Sequence, residues 1–432
     1  MAVNNGEKTR GEDGTLRVLS LFSGCGGMDL GLEGGFICHH KSVTNPGWIH
    51  KNVSKNWVLL NRNRFRTVFA CDILEEARKT WLQYMSRYHV NPEIYHLESI
   101  VDLVKLDKEL GGVFPRDIDV VTGGFPCQDF SVAGKRKGFD STVSHNGTKR
   151  HDQDEPSEET RGKLYIWMKQ TIDAVRPKIF VAENVKGLVS LGEVKRIIQQ
   201  DFSTANGNDY IVLNPQVLHA GNFGVPETRE RVIFIGIKRS ELLPEALKAL
   251  EQEDIPEEYN PYPKPTHNFN VKDDTLPPPV TCRDVLGELP EPDKSADLSH
   301  RVYSGAKYLS NGSQGQTEIN IDGLGPTIRS EHHGNIEFRR LSAEHGGKQF
   351  DELEKGMKER RLSPRECALI QTFPPDYPFV SYKTDSKRYA VSPSGAYKVI
   401  GNAVPPLLAY NIAKRLEKVW PLYFGEIYGQ RR

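Results

Sequence analysis

Three short stretches of this chain carry residue types that do chemistry together. Gly123-Gly-Phe-Pro-Cys127 sets a cysteine after a proline at the end of an apolar run. Glu183-Asn-Val185 closes a second run with an acid, and Arg229-Glu-Arg231 opens a third with two guanidinium groups. A thiolate is a soft nucleophile that adds to an electron-poor unsaturated carbon. A carboxyl group held protonated can stabilise the negative charge that such an addition creates, and a guanidinium can hold a neighbouring carbonyl oxygen. Taken alone, Cys127 is better read as a small buried apolar residue. Two points favour chemistry. Both Cys127 and Glu183 follow apolar runs that read as strands, whose carboxyl ends are where open α/β sheets place ligands, and an acid buried there is uncommon without a task.

A fourth stretch suggests a cofactor. Residues 17–22 read as a strand, and Ser23-Gly-Cys-Gly-Gly-Met-Asp29 as the loop after it. Glycines at 24, 26 and 27 let the backbone turn sharply and approach a ligand closely. A dinucleotide fingerprint would need glycine at position 29, where Asp29 stands, so nicotinamide and flavin are disfavoured. S-adenosylmethionine carries no phosphate. It needs a close backbone, an acid for its ribose hydroxyls and an apolar face for adenine, which Asp72 can supply together with Phe22 and Ile73.

Elements must position these groups. Candidate strands at 17–22, 67–72, 118–122, 178–182 and 232–237 alternate with helical patterns, and Leu164, Met168, Ile172 and Val175 repeat at helical spacing before Pro177. This rhythm predicts an α/β domain with a mostly parallel sheet covered by helices on both faces. It stops near Lys238. The chain then becomes rich in Pro, Glu and Asp, and afterwards in Gly, Ser, Asn and His, which marks a smaller irregular domain. Helical spacing returns at Leu408, Ile412, Leu416 and Val419, in a helix expected to pack back onto the first domain. The expected division is a disordered tail over 1–14, a large catalytic and cofactor-binding domain over 15–239 and 391–432, and a small recognition domain with its hinge over 240–390.

Composition bounds the function without naming it. The 432 residues are 37% apolar and 26% charged, with 57 basic and 57 acidic side chains, so net charge alone points to no polyanion. Basic residues do cluster locally at Lys135, Arg136, Lys137, Lys149 and Arg150. No apolar stretch is as long as a membrane span, and six irregularly spaced cysteines suit reduced thiols in a cytoplasmic compartment. His332 and His333 lack partners at ligand spacing, so no metal is expected.

The reacting groups suit one ring in particular. Carbon 5 of cytosine is too electron-poor to attack a methyl group, but a thiolate added at carbon 6 makes an enamine in which carbon 5 is nucleophilic. The addition charges ring nitrogen 3, where a protonated carboxyl would help, and a base must later take the proton from carbon 5. The motifs agree. Phe22-Ser-Gly-Cys-Gly-Gly27, Gly124-Phe-Pro-Cys-Gln-Asp-Phe-Ser131, Glu183-Asn-Val185, Gly224-Val-Pro-Glu-Thr-Arg-Glu-Arg231, Arg361-Leu-Ser-Pro-Arg-Glu-Cys367 and Tyr397-Lys-Val-Ile-Gly-Asn-Ala-Val404 resemble, in order, the motifs of the DNA (cytosine-5) methyltransferase family, in its bacterial restriction–modification form.

That resemblance implies a Rossmann-like fold dependent on S-adenosylmethionine, with a separate target-recognition domain. It implies Cys127 as nucleophile, Glu183 at ring nitrogen 3, Arg231 at the carbonyl oxygen and Arg229 as support for the catalytic loop. Phe22, Ser23, Gly24, Cys25, Gly26, Gly27, Asp72, Ile73, Ser99, Ile100 and Pro126 would line the cofactor pocket, closed by Asn402 and Val404. The loop after the nucleophile would swing over double-stranded DNA and bring Gln128, Ser131, Lys135, Arg136 and Lys137 to it. Because a stacked cytosine cannot present carbon 6 to a pocket, the base would be flipped out, with Arg329, His332 and His333 among the readers of its surroundings. A monomer partnered in function by a restriction endonuclease and placed beside the bacterial nucleoid is the expectation. An RNA cytosine methyltransferase and a catalytically silent DNA-binding regulator are the alternatives.

The chain departs from the family pattern in places. An insertion fills 39–66, and 140–160 is long. Ile73 stands where an aromatic is usual, Glu227 where glutamine is common, and Ser99 where an acid contacts adenine, with Asp102 its substitute only in another register.

Overall fold

The computed structural model describes residues 14–89, 91–126, 163–190, 193–330 and 335–425. Cys127, Gln128, Ser131, Lys135, Arg136, Lys137, His332 and His333 lie outside the described residues, as do the expected tail over 1–14 apart from Gly14 and the long stretch 140–160.

The described chain is built on one eight-stranded sheet. In chain order it begins with β1 (Leu16–Leu21), α1 (Gly27–Glu33) and a separate three-stranded sheet of β2 (Ile37–His39), β3 (Ile49–Asn52) and β4 (Trp57–Leu60). It continues through β5 (Phe65–Cys71), α2 (Glu75–Met85), β6 (Tyr95–His96), α3 (Ile100–Leu110), β7 (Val120–Gly124), α4 (Leu164–Val175) and β8 (Ile179–Val185). After α5 (Val194–Ser203) come β9 (Tyr210–Val212), β10 (Gln216–His219) and β11 (Glu230–Lys238). The order across the main sheet is β10-β11-β8-β7-β1-β5-β6, with β9 also on β11. Strands β8, β7, β1, β5 and β6 are parallel, whereas β11 runs antiparallel to β8.

Strand residues alternate between two cores. Val18, Val120, Ile179, Val181, Ile233, Ile235 and Ile237 belong to one apolar cluster. Leu19, Val121, Phe180, Ala182, Val232 and Phe234 belong to the other, on the opposite face with α3, α4 and α5. A period of two with both faces apolar is what helices on both sides demand. The chain winds from β1 to β5 and β6 on one side, then crosses to β7 and β8 on the other. The order therefore reverses between β1 and β7, and such a reversal opens a crevice at the strands' carboxyl ends.

The insertion at 39–66 folds into the small sheet β2–β4, which sequence periodicity does not announce because its strands have three or four residues each. It ties the first half of the chain to the second through Lys41 Nζ to Asp284 Oδ1 (2.7 Å) and Asn56 Nδ2 to Glu288 Oε1 (2.6 Å). Beyond Lys238 the elements are short, and arginines help to fill the interior. Arg339, Arg340, Arg360 and Arg361 are buried, Arg340 bonding Glu291 and Glu352, and Arg360 forking onto Glu366 at 2.8 and 2.9 Å. Sequences poor in apolar residues can close an interior this way only when every charge finds a partner. Ile319, Ile321, Ile328 and Leu362 share a core with Val18 and the final helix, Pro406–Phe424, which packs on α1 as its spacing suggested.

Candidate active site

The crevice is a cavity of about 1220 Å³. Its walls come from the carboxyl ends of β1, β5, β7 and β8, the start of β11, and two later segments around 327–330 and 398–404.

Glu183 and Arg231 meet in it through strand register. Ile233 of β11 lies opposite Glu183 of β8, so Arg231, two residues earlier, is the diagonal neighbour on the same face. Arg231 Nε lies 2.7 Å from Glu183 Oε1. Glu183 is 7% exposed, and its burial pushes the carboxyl above the usual range, against the pull of Arg231 and Arg229. Gly124 pairs with Glu183 in the ladder, and a Cβ there would lie 2.8 Å from Glu183 Oε2, so the glycine leaves the carboxylate its room. The next residue, Asn184, donates from Nδ2 to the Phe125 carbonyl oxygen at 3.1 Å and so holds the backbone that leads into Pro126.

The glycine loop forms the other end of the cavity. Phe22, at φ 53°, turns the chain out of β1, and the Gly24 N–H donates to Asp72 Oδ2 at 3.0 Å while the Leu74 N–H donates to Oδ1 at 3.0 Å. The half-buried Asp72 thus joins the loops after β1 and β5, and its carboxyl is pushed up by burial. A Cβ on Gly24 would meet no atom nearer than 4.0 Å and would stand in the cavity wall. Gly27 serves packing instead, since a Cβ there would fall 2.2 Å from the Val404 carbonyl oxygen. Beneath the loop, Asp29 is fully buried and accepts from Ser20 Oγ (2.5 Å) and Trp81 Nε1 (2.7 Å), with its pKa pushed up to about 6 by burial.

Most of the expected cofactor residues come together here. Phe22, Ser23, Gly24, Gly27, Asp72, Ile73, Ser99, Ile100, Pro126, Asn402 and Val404 line the cavity. Cys25 and Gly26 do not. The Cys25 thiol donates to the Val399 carbonyl oxygen at 3.2 Å and is pushed up by burial, and Gly26 packs against Trp81, whose Cδ1 would lie 2.7 Å from an added Cβ. A turn alternates its directions, so neighbouring residues of one motif face opposite ways. Ser99 accepts from the Val101 N–H as the N-cap of α3, Asp102 is exposed outside the cavity, and the acid in the wall is Glu98. Periodicity offers no way to tell which of three neighbouring residues turns inward.

Arg229, expected as support for the catalytic loop, does not line the cavity. It is fully buried away from the cavity, donating to the carbonyl oxygens of Ile328 (2.8 Å), Gly401 (2.9 Å) and Ala403 (2.7 Å). These bonds tie the start of β11 to the two later segments of the wall. Glu227 assists, accepting the Ile328 N–H at 2.7 Å. Arg329, expected at DNA, lines the cavity beside Thr327. Sequence reasoning did not single out Lys186, Glu230 or Lys398, also in the wall. Their signal was adjacency to the motifs.

Residues 16–418 match the family described as C-5 cytosine-specific DNA methylase. The chain belongs to that family. It is 29% identical over 416 residues to the Type II methyltransferase M.BsuRI of Bacillus subtilis, covering 95% of this chain and 81% of that protein. It is 30% identical over 408 residues to the Type II methyltransferase M.BspRI of Lysinibacillus sphaericus, covering 92% and 81%. The fold of this methylase is also that of a prophage-encoded DNA modification methyltransferase from E. coli, with a TM-score of 0.54 at 20% identity over 94% of this chain and 99% of that one. The methylase is thus an enzyme acting at carbon 5 of cytosine in DNA, on the α/β fold its motifs predicted. Among the described residues no helix is long and apolar enough to cross a membrane, and no group of His, Cys, Asp and Glu side chains is arranged to hold a metal ion.

Proposed function

We propose that this methylase transfers a methyl group from S-adenosylmethionine to a cytosine flipped out of duplex DNA, as the modifying half of a restriction–modification pair. The observation that carries this reading is the placing of the buried Glu183–Arg231 pair and the Asp72–Gly24 loop in one cavity. The loop suits the cofactor. Open space at Gly24 admits a close ligand, Asp72 offers a carboxylate to ribose hydroxyls, and Phe22 and Ile73 offer apolar faces, without a cradle of amides for a phosphate. When bound, S-adenosylmethionine supplies an electrophilic methyl group.

The chain's own residues do the rest. Cys127, next after Pro126, adds as thiolate to carbon 6, and its electron pair forms the sulfur–carbon bond. Glu183, whose carboxyl burial pushes up, places a proton at ring nitrogen 3, and Arg231 holds the carbonyl oxygen. Carbon 5 is then nucleophilic. Once it is methylated, a base removes its proton, the carbon 5–carbon 6 double bond re-forms, the thiolate leaves and the proton on ring nitrogen 3 returns to Glu183. Arg229, Asn184 and Glu227 keep these groups in place without touching the base.

Recognition by 240–390, working as a separate domain on a monomer, and a cytoplasmic setting with a partner endonuclease complete the proposal. The names of the Type II relatives support its restriction–modification part. Bisulfite sequencing of DNA from cells expressing the protein reads both the modified base and its sequence context, and scattered methylation without a common sequence overturns the restriction–modification reading. Transfer of labelled methyl to tRNA but not to duplex DNA favours the RNA alternative. Cys127→Ser is expected to lower turnover by roughly 10³-fold or more while cofactor affinity is kept. A 5-fluorocytosine target should trap a covalent complex, since fluorine cannot leave as a proton does. An active enzyme that leaves no adduct refutes the covalent step.

A further inference from the structure

Four cations line the cavity among the described residues: Lys186, Arg231, Arg329 and Lys398. Arg231 is engaged with Glu183, Arg329 is half-buried with its Nη1 inside, and Lys398 lies near enough to Asp72 to draw its carboxyl down. Lys186 differs. It follows the Glu183-Asn-Val185 motif directly, and its ammonium forks onto both oxygens of Glu230 at 2.8 and 2.9 Å. The lysine side chain is 56% exposed and the glutamate 34%, so the pair stands at the rim. His219, opposite Glu230 in the ladder, is pushed below its usual range by burial.

A nucleotide that enters this cavity brings phosphates with it. Rotating the base out of the stack carries the flanking sugar–phosphate to the rim of the pocket. A phosphate beside Glu230 is repelled unless a cation lies between them, and an exposed lysine–glutamate pair is weak enough to be exchanged. We propose that Lys186 binds a phosphate flanking the flipped cytosine, and that Glu230 is its counter-ion in the free enzyme. The lysine trades one anion for another as DNA docks. Glu230 meanwhile holds the ammonium in reach of the rim and weakens its grip on DNA that offers no flipped base. The inference rests on the DNA reading above and adds to it a contact that none of the catalytic roles requires.

The test uses the full-length protein and a short duplex bearing the sequence that bisulfite mapping identifies. Methylation of that duplex by the wild-type protein checks the reading on which the inference stands. Lys186→Ala is expected to weaken binding about tenfold and to make the plot of log affinity against log salt shallower by about one, the loss of one phosphate contact. Glu230→Gln is expected to do the reverse and tighten binding. With neutral methylphosphonates on both sides of the target cytosine, Lys186→Ala should cost nothing further. Lys186→Arg should restore the slope and shows that loss of folding does not cause the effect. An unchanged slope, or an equal loss on the neutral duplex, overturns the proposal.

Discussion

A carboxyl group that is to carry a proton near neutral pH must be kept from water, and the residue scale of this protein is dominated by that requirement at Glu183. Burial raises its pKa, and Arg231 opposes the rise without cancelling it. The sign of the pH dependence follows. With its folded pKa above the unfolded value, Glu183 contributes stability that is complete below the unfolded pKa and is lost as pH rises through the folded pKa. Glu183→Gln keeps the shape and the acceptor for Arg231 but cannot ionise. We expect turnover to fall about 10²–10⁴-fold. We also expect the difference in Tm between variant and wild type to shift in the variant's favour as pH rises, read from melting curves across a pH series. A shift in the opposite sense refutes the raised pKa. At this scale the sequence was informative about residue type: a cysteine after proline, an acid at a strand end and a paired arginine were legible. Residue type alone does not separate Arg231, in the cavity, from Arg229, two residues away and buried; the motif resemblance is what gave them different roles. Arg229 precedes β11 and Arg231 is its second residue, and the packing around them sets one on backbone carbonyl oxygens and the other on Glu183.

Element geometry explains several glycines better than ligand binding does. Gly31 lies on α1 where it crosses the final helix, and a Cβ there would come within 2.4 Å of both the Ala409 Cβ and the Pro406 carbonyl oxygen. The backbones meet directly, as happens where small residues face each other. Gly31→Ala should cost about 1–3 kcal/mol by overpacking. Because the 398–404 wall runs into the final helix, cofactor affinity should fall as well, which titration calorimetry can measure. Unchanged stability would show that α1 and the final helix can slide apart. The five predicted strands are present with ends displaced by up to three residues. The sheet β2–β4 was illegible: three- and four-residue strands carry too few alternations to show a period.

Across the whole molecule, the second half of the chain adds buried charge pairs to the apolar core that it shares with the first. Glu366 is buried between Arg360 and its own helix start, and Arg360 together with its hydrogen bonds holds the pKa down to about 2, against the desolvation that burial imposes. The folded pKa lies below the ordinary 4.5, so this stability is present above that value and disappears as pH falls toward about 2. Glu366→Gln removes one of the two carboxylates that Arg360 bonds and should cost about 3–5 kcal/mol at neutral pH. The gap between variant and wild type should close on acidification. Denaturant titrations at neutral and acid pH measure it, and a pH-independent gap would mean that the loss is one of packing.

What the amino-acid order determined by itself was chemistry and period: which side chains can react, which runs are strands, and where an α/β rhythm gives way to irregular chain. These are local properties, set by residue type and by spacing along a few turns of backbone. Tertiary structure alone decided which members of each motif turn inward. It set Cys25 against Val399, Gly26 against Trp81, Glu98 in the wall in place of Asp102, and Lys186 on the rim with Glu230. The direction of a side chain in a loop depends on contacts with residues far away in the chain, and no local pattern records those.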